Sequence, residues 1–187
     1  MGMPATQMHW TVDMLHALPD DGKRHEIIDG ELLVTPAPSA AHQTAVLRLS
    51  VRLTAYLDQT RAGCLFLAPG DVIFGDRTLV QPDLFVTPLV HGRRPTSWQE
   101  APRPLLHVEV VSPNSARYDR GEKRDLYQRQ GIPEYWIVDP DSRLLERWRP
   151  RDERPEIVTG RLEWHPDGAE SPFVLNLSEY WAEVFDE

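Results

Sequence analysis

Residues 105–138, LLHVEVVSPNSARYDRGEKRDLYQRQGIPEYWIV, decide the architecture. Leu105 to Val111 is an apolar run of strand length, broken only by His107 and Glu109. Arg117 to Gln130 reads as a helix, closed by Gly131 and then Pro133, which stop a helix by left-handed φ and by a missing N–H. Glu134 to Val138 is again a strand. Strand, helix and strand in such close succession call for an α/β or α+β domain whose sheet is covered by helices.

The flanking sequence extends that plan in both directions. Upstream, Cys64 to Ala68, Asp71 to Phe74 and Leu79 to Thr87 are three strand-like runs, separated by Pro69-Gly70 and Gly75-Asp76. Before them a helix runs from its N-cap Ser39 to about Gln59, with Val46, Leu49, Leu53, Tyr56 and Leu57 at three- and four-residue steps. Asp29-Gly30, between Ile27-Ile28 and Leu32-Leu33, marks a two-residue hairpin. Thr11 to Leu18 is a short helix ending at Pro19. Pro88 to Pro104 is a Pro- and Arg-rich loop. Downstream, Leu144 to Trp148 and Leu162 to Trp164 are strands, and a last helix starts at Ser178. With no internal repeat or linker, residues 1–187 read as one domain, its core at about 25–150 and an acidic C-terminal extension at 151–187.

Composition narrows the function classes. The chain has 187 residues, 41% hydrophobic and 26% charged, enough for one packed core. It has no apolar run of membrane-spanning length, and Met1 to Val12 has no basic stretch leading into an apolar one, so a cytoplasmic protein with no membrane partner is expected. A single cysteine, Cys64, excludes internal disulfides. The net charge is -9, from 29 acids and 20 bases, which argues against nucleic-acid binding through the global field. Residues 151–187 alone carry a net -7. Only two bases are lysines, Lys23 and Lys123, so any role that needs an ammonium falls on one of them.

Three polar residues stand where core residues belong. Asp83 follows Pro82 inside the run Leu79 to Val86, and Glu109 interrupts Leu105 to Val111. A carboxylate inside a buried strand is costly unless a cation neutralises it. Lys123 precedes Leu126 and Tyr127 by three and four residues and shares their inward helix face. Each has an ordinary alternative: a turn aspartate, a glutamate on a wet strand face, a surface lysine. Together they suit a divalent-metal site for phosphodiester hydrolysis, with Mg2+ or Mn2+ on hard oxygen ligands.

The blocks HEIIDGELLVTPAPSAAHQ, VQPDLFV and HVEVVSPNSARYDRGEKRDLYQRQGIPEYWIVDP resemble, in this order from His25 to Pro140, the Uma-type family of restriction endonucleases in the PD-(D/E)XK nuclease superfamily. The resemblance implies a restriction-endonuclease-like core, a central mixed β-sheet flanked by helices, with metal-dependent DNA cleavage. Pro82-Asp83 matches the PD half of the motif and Glu109 its second acid. Position 111 is Val where the superfamily has lysine, and Lys123 in RGEKRDLY takes that place. The resemblance further implies that Asp83, Glu109 and the Val110 carbonyl hold one Mg2+, while Lys123 helps activate water and stabilises the transition state. Glu31 and His42 are further catalytic candidates, for a second metal or for water and phosphate, and Gln81 is a residue that orients the site. Each has an ordinary alternative, an exposed hairpin acid, a satisfied helix-end histidine and an ordinary strand polar residue respectively.

Arg93, Arg94, Arg103, Arg117, Arg120, Arg124 and Arg129 are the phosphate-contact candidates, against the alternative of a solvated helix face. The reading is therefore a Mg2+-dependent endonuclease with a DNA substrate, expected as a homodimer because two strands are cut by two symmetric sites. Its rivals are a catalytically weak nuclease-fold protein that binds nucleic acid or a protein partner, and a hydrolase of small phosphoesters.

Overall fold

The structure is a computed structural model and describes residues 9–187; of the segment Met1 to Val12 read above, residues 1–8 lie outside the described residues. The chain begins with α1 (Val12–His16), capped by the Thr11 hydroxyl, and the hairpin of β1 (Arg24–Ile28) and β2 (Glu31–Thr35). Asp29 and Gly30 turn it with φ of 53° and 87°, the left-handed pair that a two-residue hairpin needs. Helix α2 (Ala40–Thr60) starts at Ser39, whose hydroxyl accepts from the His42 N–H at 3.2 Å. Then come β3 (Cys64–Leu67), β4 (Val72–Ile73), β5 (Leu79–Val80), β6 (Leu84–Thr87) and β7 (Leu106–Val110). Short α3 (Ala116–Tyr118), a π-helical turn (Asp119–Lys123) and α4 (Arg124–Arg129) lead to β8 (Glu134–Asp139) and β9 (Leu144–Trp148). The chain ends with β10 (Glu156–Val158), β11 (Arg161–Trp164), β12 (Phe173–Asn176) and α5 (Leu177–Phe185).

Six strands form the main sheet in the order β10-β9-β8-β7-β6-β3, and four form a smaller one, β2-β1-β5-β4. Within the main sheet β7 and β8 pair in parallel, joined by the crossover through residues 116–129, and the other neighbours are antiparallel. Strands β6, β7 and β8 are buried along their whole length, as strands covered on both faces must be. One face packs on Ala45, Leu49, Leu53 and Leu57 of α2, with Leu162, Trp164, Phe173 and Tyr180 of the chain's end completing that core. Leu126 and Tyr127 of α4 pack in a second cluster with Phe85, Tyr135 and Ile137.

Two sequence expectations change here. The run Leu79 to Thr87 is two strands, because Pro82 has no N–H to continue a ladder; β5 belongs to the small sheet and β6 to the large one. The helix expected over Arg117 to Gln130 carries a π-helical turn at Asp119–Lys123. The acidity of residues 151–187 also finds partners. Glu183 pairs with Arg52 of α2, Glu187 with Arg143 and Glu156 with Arg149, at 2.6, 2.6 and 2.9 Å.

Candidate active site

The seam between the two sheets makes the site. Gln81-Pro82-Asp83 carries the chain across it, and the β6–β7 register, with Leu84 opposite Val108, continues to place Asp83 opposite Glu109. The Asp83 Oδ2 accepts from the Val110 N–H at 2.9 Å and lies 3.0 Å from His42 Nε2. Its Oδ1 accepts from Arg24 Nη2 at 2.8 Å. Burial alone would raise the Asp83 pKa, but His42, Arg24 and the Val110 N–H reverse this and hold it down at about 2.

Across the cavity, Lys123 is 2% exposed. Its Nζ donates to Glu109 Oε1 at 2.9 Å, lies 2.9 Å from Glu26 Oε2 and stands 3.7 Å from Asp119 Oδ1. The contact with Glu26 is an ion pair without hydrogen-bond alignment, so that oxygen has no hydrogen-bond partner. The Glu26 Oε1 accepts from the Gln81 N–H at 2.7 Å, and Tyr127 donates its hydroxyl proton to Glu109 Oε1 at 3.1 Å. Burial works against the ammonium, but Glu109, Glu26 and Asp119 outweigh it and raise the Lys123 pKa above its usual value. Burial is the dominant effect on Glu109, whose pKa is raised well above the usual carboxylate range despite Lys123. The π-helical turn matters because it buries Asp119 and Lys123 on one side while Arg120 turns away to Asp139 and Glu146; such turns concentrate at functional sites.

These groups open on a cavity of about 510 Å³ lined by Asp83, Glu109, Val110, His42, Gln81 and Lys123 among others. Asp83, Glu109, Val110, Lys123 and His42 are thus brought together. Glu31 is not. It sits at the exposed end of the hairpin opposite Ile28 and does not line the cavity. None of the seven arginines proposed for phosphate lines it either. Arg120, Arg124, Arg129 and Arg94 pair with Asp139, Asp125, Asp29 and Asp58. The cationic residues of the wall are Arg24 and both lysines of the chain, Lys23 and Lys123.

A family model described as Uma2, putative restriction endonuclease, matches residues 12–177. The chain belongs to the Uma2 family. An uncharacterized protein of Synechocystis sp. is 29% identical over 140 residues, 73% of this chain and 71% of that protein. The crystal structure of a putative nuclease belonging to DUF820, from Anabaena variabilis, matches with a TM-score of 0.76 and 21% identity over 94% of this chain and 99% of that one. That likeness shows the fold of this Uma2 protein, a restriction-endonuclease-like mixed sheet flanked by helices.

The sequence reading does not single out three groups around this candidate site. Glu26 carries the same signal as Glu109, an acid beside apolar strand residues, here Ile27 and Ile28. Arg24 and Asp119 sit in polar surroundings that give no hint of burial; only the seam and the π-helical turn bring them inward. For a metal, the donor set is two carboxylates on an open cavity. Among the described residues no three Asp, Glu, His or Cys side chains are grouped to cage an ion by themselves. Mg2+ and Mn2+ need no such cage, since one or two carboxylates with water and phosphate complete their shell. Asp83 and Glu109 fit that requirement.

Proposed function

We propose that the protein is a divalent-metal-dependent endonuclease that hydrolyses DNA phosphodiester bonds in this cavity, working in the cytoplasm as a homodimer. The observation that carries the reading is the Lys123 ammonium, buried from the crossover helix against Glu109 and facing the same cavity as Asp83. Asp83, Glu109 and the Val110 carbonyl would hold Mg2+ or Mn2+, which when bound supplies positive charge to the phosphoryl oxygens and acidifies water.

The chain's own groups do the rest. His42 and the Val110 N–H fix the rotation of the Asp83 carboxylate. Lys123 keeps its proton, because three carboxylates surround it. It therefore acts as a fixed charge facing the developing negative charge of the phosphorane, and leaves the base role to another group. Glu26 and Tyr127 hold the two residues of this pair in place.

Supercoiled plasmid with Mg2+ or Mn2+ tests the reading. Nicked and linear products are expected, reduced at least about 100-fold in Asp83→Asn and in Lys123→Ala. Undiminished cleavage in folded variants would remove the assignment. A second reading, a catalytically weak nuclease-fold protein that binds nucleic acid or a protein partner, is favoured by one observation: Asp83 and Glu109 each already have a cationic partner. Duplex binding without Mn2+ binding or cleavage would select it.

A further inference from the structure

We infer that Arg24 is an exchangeable cation of this site: it neutralises Asp83 in the metal-free protein and passes to a phosphate oxygen of the nucleic acid when a divalent cation takes Asp83. The inference rests on the proposed metal site and concerns a residue to which that proposal gives no part.

Both oxygens of the Asp83 carboxylate are engaged. The Asp83 Oδ2 is occupied by the Val110 N–H and by His42. The Oδ1 is held by Arg24. A metal that binds Asp83 through Oδ1 therefore meets the guanidinium, and two cations on one oxygen repel. The side chain best placed to yield is Arg24. Asp83 is 4% exposed, whereas Arg24 is 23% exposed and belongs to a strand at the cavity wall. Its other contact, from Nη1 to the Gln81 carbonyl, is long at 3.3 Å.

Room to move is also present. Arg24, His42 and Asp83 line both the cavity and a neighbouring groove of about 520 Å³, bordered by Pro38, Gln43 and Leu67. Arg24 thus borders both spaces. A dication that takes the Asp83 Oδ1 leaves the displaced guanidinium without a carboxylate partner. Its planar fork of donors suits two phosphate oxygens.

The full chain tests this with Mn2+ alone, by isothermal titration and by the electron paramagnetic resonance signal of free Mn2+. Arg24→Gln is expected to bind Mn2+ about tenfold more tightly than wild type, the value of one charge-assisted hydrogen bond removed from competition. With Ca2+ in place of Mn2+, the same variant is expected to bind a DNA duplex several-fold more weakly, by fluorescence anisotropy. Opposite signs are the signature, since an arginine that only supports the fold would weaken both. Equal or weaker Mn2+ binding in Arg24→Gln overturns the inference. Should that variant fail to fold, Arg24→Lys replaces it: one ammonium cannot span Asp83 and Gln81 as the fork does, and tighter Mn2+ binding is again required. Asp83→Asn separates the two levels. Loss of Mn2+ binding there, with no change in Arg24→Gln, retains the metal site and removes the exchange; Mn2+ binding equal in Asp83→Asn and wild type removes both.

Discussion

Two buried ionic networks lie on either side of one helical turn, and their difference separates a site from a brace. Around the seam, Glu26, Asp83, Glu109 and Asp119 share Arg24 and Lys123, and the group opens on a cavity. On β8 and β9, Asp139 and Glu146 meet Arg120, and Glu134 meets Arg147 and Arg149. There every cation is an arginine, and Arg147 grips both oxygens of Glu134 with its fork. None of these six residues lines the cavity. The π-helical turn serves both networks, directing Lys123 to one and Arg120 to the other. An arginine fork closes a pair; an ammonium among excess carboxylates leaves charge to be completed from outside.

Lys123 and Arg147 should differ most in what their loss removes. Lys123→Ala is expected to lower plasmid cleavage by about 10²–10³-fold in a folded protein, the range for loss of a group that meets transition-state charge. Arg147→Ala is expected to leave cleavage per folded molecule unchanged, yet to cost about 3 kcal/mol in urea denaturation, because it removes the forked partner of a buried Glu134 and leaves it only Trp136 and the more distant Arg149. Loss of activity in Arg147→Ala at full stability would erase the distinction.

A third prediction sharpens the contrast through a residue that belongs to neither network. His107 is fully buried on β7, beside Glu109, with no hydrogen-bond partner on either ring nitrogen and its ring 4.3 Å from that of Tyr127. Burial, aided by Lys123, lowers its pKa from 6.5 to about 3. The unfolded chain binds the proton first as pH falls. The stability that depends on a neutral His107 is therefore complete above pH 6.5 and is lost progressively as pH falls toward 3. Denaturation midpoints measured across that window should fall less steeply in His107→Phe than in wild type. Identical slopes would show that the neighbouring carboxyl groups carry all of the acid sensitivity.

These two networks also show how far the sequence could be read. A local signal sufficed for the hairpin, for α2 and its Ser39 cap, and for Lys123, whose spacing to Leu126 and Tyr127 put it on a buried helix face. The rule that a carboxylate in an apolar strand needs a cation pointed to Glu109. It applies equally to Glu146 between Leu145 and Trp148, a buried acid of the brace. Nothing local distinguishes the two. What differs is the cation each meets and whether a cavity lies beside it, and both come from long-range packing. Arg24 and Asp83 lie 59 residues apart, and their meeting depends on the chain changing sheets at Pro82. Of the arginines expected to contact phosphate, Arg94, Arg120 and Arg129 pair with acids from distant segments, as Arg129 does with Asp29, and such pairs cannot be read from local pattern.

The smallest expected effect concerns the other lysine. Lys23 also lines the cavity, yet its side chain is 57% exposed, with Asp21 3.4 Å away. An ammonium this wet gains little from its pair and is free to meet a phosphate at the cavity mouth, where position matters less than charge. Lys23→Gln should leave the maximal cleavage rate at saturating DNA unchanged and weaken duplex binding only a few-fold. The salt dependence should flatten by about one unit in the slope of log K against log salt concentration, the value of one phosphate contact. A fall in the maximal rate would place Lys23 with Lys123 in the transition state. An unchanged salt slope would mean that DNA approaches the cavity from another side, leaving Arg24 and Lys123 as its cationic contacts.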